Sequence, residues 1–387
     1  MFNIKLYNKI AACGLDTFDK NNYKYGEDVT DYDAILVRSA SLHDVEFPEK
    51  LLAIARAGAG VNNIPIDKCS EAGIVVFNTP GANANAVKEL TIAGLLLSSR
   101  KIVDGINWAK TIANEGDAVP SLVEKGKSAF VGPEIEGKTL GVIGLGAIGV
   151  MVASTATHLG MNVLGYDPYI SVDAAWGLSR SVKKAPDLNT IFSESDYITL
   201  HVPLNNDTRG MINAETFKLM KKGVRILNFS RGELVNDDDL AAALNDGQVA
   251  CYVTDFPNAK TLNMPGVIAI PHLGASTPES EDNCAVYACN ELKNYLENGS
   301  IKNSVNFPTL ELPKTDLRRI CVIHKNIPNT LTQLTNVLSA KNINIENMYN
   351  KSKKDNAYSV LEIEGDCPPV ISEELMKISG VIRVRII

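Results

Sequence analysis

The chain has 387 residues, 45% hydrophobic and 21% charged, with a formal net charge of −7. That length exceeds what one hydrophobic core usually supports, so two or three globular domains are expected. The acidic balance argues against nucleic acid or an anionic membrane as the main partner. No apolar run reaches 18 residues and the start lacks a leader's apolar stretch, so a cytoplasmic location is expected. Seven scattered cysteines form neither a C-x-x-C pair nor a zinc cluster; they read as reduced, mostly buried thiols, and no metal site is expected.

Residues 1–10 alternate like a strand, and the apolar runs Ala34–Val37, Leu51–Ala55 and Ile74–Phe77 follow, then an apolar helix from about Ala86 to Ser99. Strands separated by helices imply βαβ units and a parallel sheet. Asn114 to Glu136 is polar, carries Lys125, Lys127 and Gly132-Pro133, and reads as a loop joining domains.

The stretch Thr139 to Ile143 reads as a strand running directly into Gly144-x-Gly146-x-x-Gly149 and a helix reaching Leu159. Each glycine meets a distinct physical need, with a tight turn at Gly144, close approach of backbone to a pyrophosphate at Gly146, and helix-to-sheet packing at Gly149. A second strand, Asn162–Tyr166, ends at Asp167, 18 residues past Gly149, near where an acid meets ribose hydroxyls. With Pro168 next and no adjacent arginine, Asp167 favours NAD over NADP.

Further strands are expected at Tyr197–His201, Arg225–Asn228, Ala250–Val253 and Val267–Ile270, completing a second doubly wound unit. Ligands in such sheets bind beyond the carboxyl ends of the strands. Those ends carry Asp167, His201-Val202-Pro203, Phe229-Ser230-Arg231, Asp255 and His272-Leu273-Gly274-Ala275. Arg231 offers a permanently charged fork that can hold a carboxylate and polarise the neighbouring carbonyl, and His272 can give or take the proton that accompanies hydride transfer. The plain alternatives are a surface ion pair and a core histidine; His201 also suits cofactor packing.

A helix from about Pro278 to Leu296 returns the chain towards its first part, and the proline-bearing stretch 303–316 has the look of a linker. The last segment reads β-α-β-β-α-β, the order of a ferredoxin-like sandwich. Its strands fall at Arg319–His324, Ile343–Tyr349, Tyr358–Glu364 and Val381–Arg385, its helices at Thr330–Ala340 and Ile371–Ile378.

The motifs Gly144–Gly149, His201-Val202-Pro203, Ser230-Arg231-Gly232 and Pro271–Ser276 together resemble the D-isomer-specific 2-hydroxyacid dehydrogenase family over nearly all of the chain. The resemblance implies an α/β protein with a substrate domain at 1–97 and 274–303 and a Rossmann NAD domain at 98–273. It adds a linker at 304–316 and a ferredoxin-like ACT regulatory domain at 317–387. It places Gly144, Gly146, Ala147, Ile148 and Gly149 at the pyrophosphate, Asp167 at the ribose, and Phe229 to Arg231, Asp255 and His272 to Ala275 near the nicotinamide. Arg38, Ser39, Ala59, Gly60 and Asn83, with Arg231 and His272, would meet the substrate, expected to be the small phosphorylated acid 3-phosphoglycerate. An unphosphorylated keto acid such as glyoxylate or hydroxypyruvate, or a catalytically weak NAD sensor, are the alternatives. The ACT resemblance puts His324, Asn326 and Asn344 at a site for an L-serine effector, in a homodimer or homotetramer.

Two positions depart from that pattern. Where the family pairs its histidine with a carboxylate five residues beyond the aspartate, this chain has Lys260. A lysine facing His272 would disfavour imidazolium, unless the loop turns Lys260 to solvent. Lys125 stands where relatives often carry an aromatic residue.

Overall fold

The computed structural model describes residues 1–387. Its strands are β1 (Phe2–Tyr7), β2 (Tyr23–Gly26), β3 (Ala34–Val37), β4 (Ala53–Arg56) and β5 (Val75–Phe77). There follow β6 (Thr139–Ile143), β7 (Asn162–Tyr166), β8 (Lys183–Lys184), β9 (Tyr197–Leu200), β10 (Val224–Asn228), β11 (Val249–Thr254) and β12 (Val267–Ala269). The last four are β13 (Arg318–Lys325), β14 (Ile345–Lys353), β15 (Asn356–Ile363) and β16 (Val381–Ile386). The chain divides into two compact units, Met1–Asn83 with Pro278–Ile387, and Ala84–Thr277.

The first unit contains a parallel sheet in the order β2-β1-β3-β4-β5. Its central strand β3 is Ala-Ile-Leu-Val, buried at every position, as a parallel strand covered on both faces requires. The helix Pro278–Asn298 supplies Cys284, Ala288, Leu292 and Tyr295 to the core under this sheet.

The stretch expected to be a linker is packed in its first part. Val305 donates its N–H to Val76 O at 2.9 Å, and Asn306 accepts from Val76 N at 2.9 Å while donating to Ile74 O at 2.9 Å. Phe307 is fully buried, and Ile301 bridges to Leu310. This segment satisfies the free edge of β5, which hydrophilic composition alone conceals.

The C-terminal sheet is antiparallel in the order β14-β15-β13-β16, with the helices Thr330–Ser339 and Val370–Met376 on one face. Alternation along β13 divides its side chains: Ile320 and Val322 pack with Leu334, Leu338, Ile371 and Leu375 under those helices. Cys321 and Ile323, with Tyr358 and Val360 of β15, join the core that holds Tyr295, Phe77 and Phe307. Both faces of β13 and β15 are therefore covered, while the edge strand β14 is mostly exposed. Arg385 donates to the carbonyls of Tyr295 and Leu296, and Arg383 to those of Glu49 and Ala72. The module is fused into the first unit through a shared core rather than held on a tether.

The second unit carries the seven-stranded parallel sheet β12-β11-β10-β9-β6-β7-β8. Sequence reversal about β6 gives the doubly wound order, with the switch between β6 and β9. The segment 114–136, read from composition as a loop, instead forms the helix Val119–Gly126, with Pro120 in its first turn, between short 3-10 turns. Its packing explains the difference: a side chain at Gly126 would collide with Trp108, whose ring also meets Phe130 at 5.3 Å. No helix of the chain is long and apolar enough to cross a membrane.

Candidate active site

In the second unit, β6 delivers the chain to Gly144, whose φ of +92° only glycine tolerates readily. A Cβ there would lie 2.4 Å from His201 O, and one at Gly149 would lie 1.9 Å from Gly144 O, so the turn admits no side chain at either point. Gly146, by contrast, faces open space and precedes the helix Ala147–His158. The N–H groups of that helix's first turn have no partner within the helix, and its dipole favours an anion there.

Asp167, just past β7, accepts from Leu145 N–H at 2.8 Å through Oδ2 and from Tyr169 N–H at 2.8 Å through Oδ1. Each oxygen keeps a lone pair for a hydroxyl. His201 follows β9, with Nε2 2.9 Å from Thr199 Oγ1 and a buried Nδ1 that has no partner. Burial lowers its pKa to about 4, so the ring is neutral at physiological pH and suits contact better than proton transfer.

The turn after β10 is fixed from within. Asn228 donates to Arg231 O at 2.8 Å and Ser230 Oγ to Leu200 O at 2.7 Å, while Phe229 packs against Gly94. This presents Arg231, whose guanidinium lies 5.6 Å from the centroid of the Phe256 ring. The His272 ring stands 4.5 Å from the same ring, tilted 46° to it. Phe256 is thus a shared platform under both groups singled out for chemistry. The sequence reading missed it; its place beside Asp255 at the end of β11 was the available signal.

Asp255 is 1% exposed. Burial raises its pKa; the His272 charge, the Gly274 N–H and the Arg231 charge oppose that rise. Its Oδ1 is buried without a partner. An unpaired buried carboxylate oxygen, an open glycine edge at a helix start and an acid at the second strand end form a donor and acceptor set that fits a dinucleotide.

Lys260 begins the short turn Thr261–Asn263 and forms an ion pair with Asp238 at 2.6 Å. The charges that act on it are Asp238 and Asp237, both of which raise its pKa. The His272 charge instead acts on Asp255.

In the first unit, Arg38 directly follows β3 and pairs with Glu281 at 2.5 Å. Asn8, in a left-handed conformation, accepts the N–H groups of Ser39 and Ala40 at 3.0 and 2.6 Å and so fixes this strand end. Arg56, at the end of β4, donates to Arg38 O at 3.1 Å, and its guanidinium would touch a Cβ at Gly58. Asn78 donates to Ala59 O at 2.6 Å, beside Gly60. Asn83 closes this part of the unit. Arg56 was not singled out from the sequence, although it occupies a strand end like the others.

In the C-terminal module, His324 is buried; Nδ1 lies 2.8 Å from Lys325 O and Nε2 2.9 Å from Ser359 Oγ. Asn326 donates to Lys354 O and Asn344 to Glu346, and both are exposed. The three are not an open cluster within one chain.

Residues 93–274 match the D-isomer specific 2-hydroxyacid dehydrogenase NAD-binding domain. A D-3-phosphoglycerate dehydrogenase of Methanocaldococcus jannaschii is 37% identical over 297 residues, covering 74% of this chain and 54% of its own length. The chain thus spans about half the length of that relative. Against a D-3-phosphoglycerate dehydrogenase of Escherichia coli K12 the identity is 34% over 354 residues, with 88% of this chain and 82% of the relative covered. Among solved structures, an NAD+-bound 3-phosphoglycerate dehydrogenase of Entamoeba histolytica superposes with a TM-score of 0.61 at 26% identity, over 80% of this chain and 99% of that one. A glyoxylate reductase of Paecilomyes thermophila gives 0.64 at 26% identity, over 79% and 98%.

Proposed function

The chain belongs to the D-isomer-specific 2-hydroxyacid dehydrogenase family and carries its NAD-binding domain, and from that premise we propose that it oxidises D-3-phosphoglycerate to 3-phosphohydroxypyruvate. The observation that carries the reading is the placement of Arg231 and His272 against one shared ring, Phe256, beside the buried Asp255. Arg231 holds the substrate carboxylate and polarises the 2-hydroxyl carbon, a role its planar fork suits. His272 accepts the hydroxyl proton, and Asp255 stabilises the imidazolium that results. Bound NAD would supply the acceptor for the hydride that leaves C2. Gly144 to Gly149, Asp167 and the unpaired Asp255 Oδ1 are the groups that would hold it.

A substrate with a phosphate needs fixed cations, and the first unit supplies Arg38 and Arg56 at adjacent strand ends, with the Ala59–Gly60 turn and Asn83. Unphosphorylated acids have less use for two arginines. The seven free cysteines support a reducing, cytoplasmic setting. A homodimer or homotetramer is the proposed assembly, with L-serine as an effector at the exposed Asn326 and Asn344; His324 would have to release an internal bond to take part.

The test is an NADH absorbance assay against 3-phosphoglycerate, D-glycerate, glyoxylate and hydroxypyruvate. The expected result is a preference of at least about tenfold in kcat/KM for the phosphorylated acid, as charge-assisted phosphate contacts would give. Equal or better use of an unphosphorylated acid overturns the assignment.

A further inference from the structure

The contact between Arg38 and Glu281 is unusual for a phosphate-binding arginine, because the fork that should receive a dianion is already engaged by a carboxylate. Glu281 lies in the first turn of the helix Pro278–Asn298, where the helix dipole favours an acid. Its partner stands at the end of β3, with Arg56 bonded to the Arg38 carbonyl. One turn further along the helix, the Cys284 thiol feels the Arg56 and Arg38 charges and that of Glu281. Two arginines and a glutamate thus act on the same point of the helix. Both members of the pair are about two-fifths exposed, at 42% and 43%. An exposed pair of this kind is weak, so a dianion that engages Arg38 and Arg56 together can displace it.

We propose that Glu281 is a specificity-determining residue: a tethered competitor that occupies Arg38 in the free protein and remains close enough to repel a bound phosphate. This rests on Arg38 being the phosphate-binding cation. The carboxylate sets a threshold. A phosphate ester that engages both arginines displaces Glu281, whereas a singly charged acid gains too little to do so, which keeps Arg38 closed to small metabolic carboxylates. The cost is weaker affinity for the phosphorylated substrate than two unopposed arginines would give.

The experiment uses the full chain and Glu281→Gln, which keeps a hydrogen-bonding group of the same shape and removes only the charge. Calorimetric binding of inorganic phosphate needs no turnover and is independent of which acid is the substrate. Glu281→Gln should bind phosphate at least about threefold more tightly than the wild type, as loss of a nearby like charge predicts. The gain should vanish in an Arg38→Ala background. In steady state the same variant should lower KM for 3-phosphoglycerate by a similar factor with kcat nearly unchanged, and leave KM for D-glycerate where it was. Equal or weaker phosphate binding by Glu281→Gln, or a gain that survives Arg38→Ala, overturns the inference. A wild type that shows no preference for the phosphorylated acid overturns the proposed substrate instead, and the phosphate titration still decides the role of Glu281.

Discussion

The strand ends of the second unit and the C-terminal sheet both carry histidine and charged residues in buried settings, and they treat them in opposite ways. At the strand ends, Asp255 Oδ1 and His201 Nδ1 are buried with no partner. In the C-terminal sheet, His324 bonds through both nitrogens, and Ser359 passes its hydroxyl on to Asn350. Arg319, 2% exposed, reaches Glu362 as well as the carbonyls of Asn298 and Pro313. A buried polar atom left unpaired costs about 1–3 kcal/mol. A fold keeps such an atom at a ligand site when the ligand completes it, and a structural network leaves none. The signature needs position as well: Ser195 Oγ and Glu291 Oε2 are also buried and unpaired, yet Ser195 precedes β9 and Glu291 lies within the helix Pro278–Asn298.

The largest effect expected from this contrast is on stability. Arg319→Met leaves the Glu362 carboxylate buried without its cation, which typically costs about 3–5 kcal/mol. Urea unfolding should register that loss, while turnover per folded molecule stays near normal. A change below about 1 kcal/mol would place Arg319 outside the structural network.

On the other side of the contrast, Arg231→Ala and His272→Ala should each reduce turnover by at least about a hundredfold, with little change in unfolding midpoint. His272→Ala should still bind NAD. Near-normal turnover at saturating substrate in either variant removes the proposed mechanism.

A finer test separates the two residues that compete for the role of charge partner to His272. Asp255→Asn removes the field that favours imidazolium, so the acidic limb of the pH–rate profile should move to lower pH. Lys260→Glu should leave the profile in place, because Lys260 is committed to Asp238. The reverse pattern would make residue 260 the partner.

The smallest effect concerns Glu291, whose pKa burial raises to about 8 against the Asn303 bond that lowers it. The usual value is 4.5, so the carboxyl is protonated in both folded and unfolded chains below that pH and carries no penalty. As pH rises from about 4.5 to about 8 the unfolded chain ionises first and stability is lost; above about 8 the loss is complete. Glu291→Gln should therefore match the wild type in melting temperature at low pH and exceed it increasingly across that window. A constant difference at every pH would mean that the carboxyl ionises normally.

The elements with a strong local signature were legible without coordinates. Thr139–Ile143 and the three glycines carry their own backbone requirements, and the expected strand at Ala34–Val37 coincides with β3. The β-α-β-β-α-β order of the last segment is likewise periodic enough to read. The helix Val119–Gly126 was not, because a short helix with no buried residue, set in a stretch that is polar on average, has little local signature, and Trp108 packs on Gly126 only in the folded unit.

Residue types at strand ends, and hence the candidate chemistry of Asp167, Arg231 and His272, follow from the sequence alone, since hydrophobic runs mark where strands stop. Which of those groups share a surface does not. That Phe256 underlies both Arg231 and His272, that Lys260 faces Asp238, and that Glu281 covers Arg38 across 243 residues of chain are decided only when the units fold. Local spacing sets backbone conformation, but side-chain partnership depends on distances between segments far apart in sequence, and those are fixed by the packing of the whole unit.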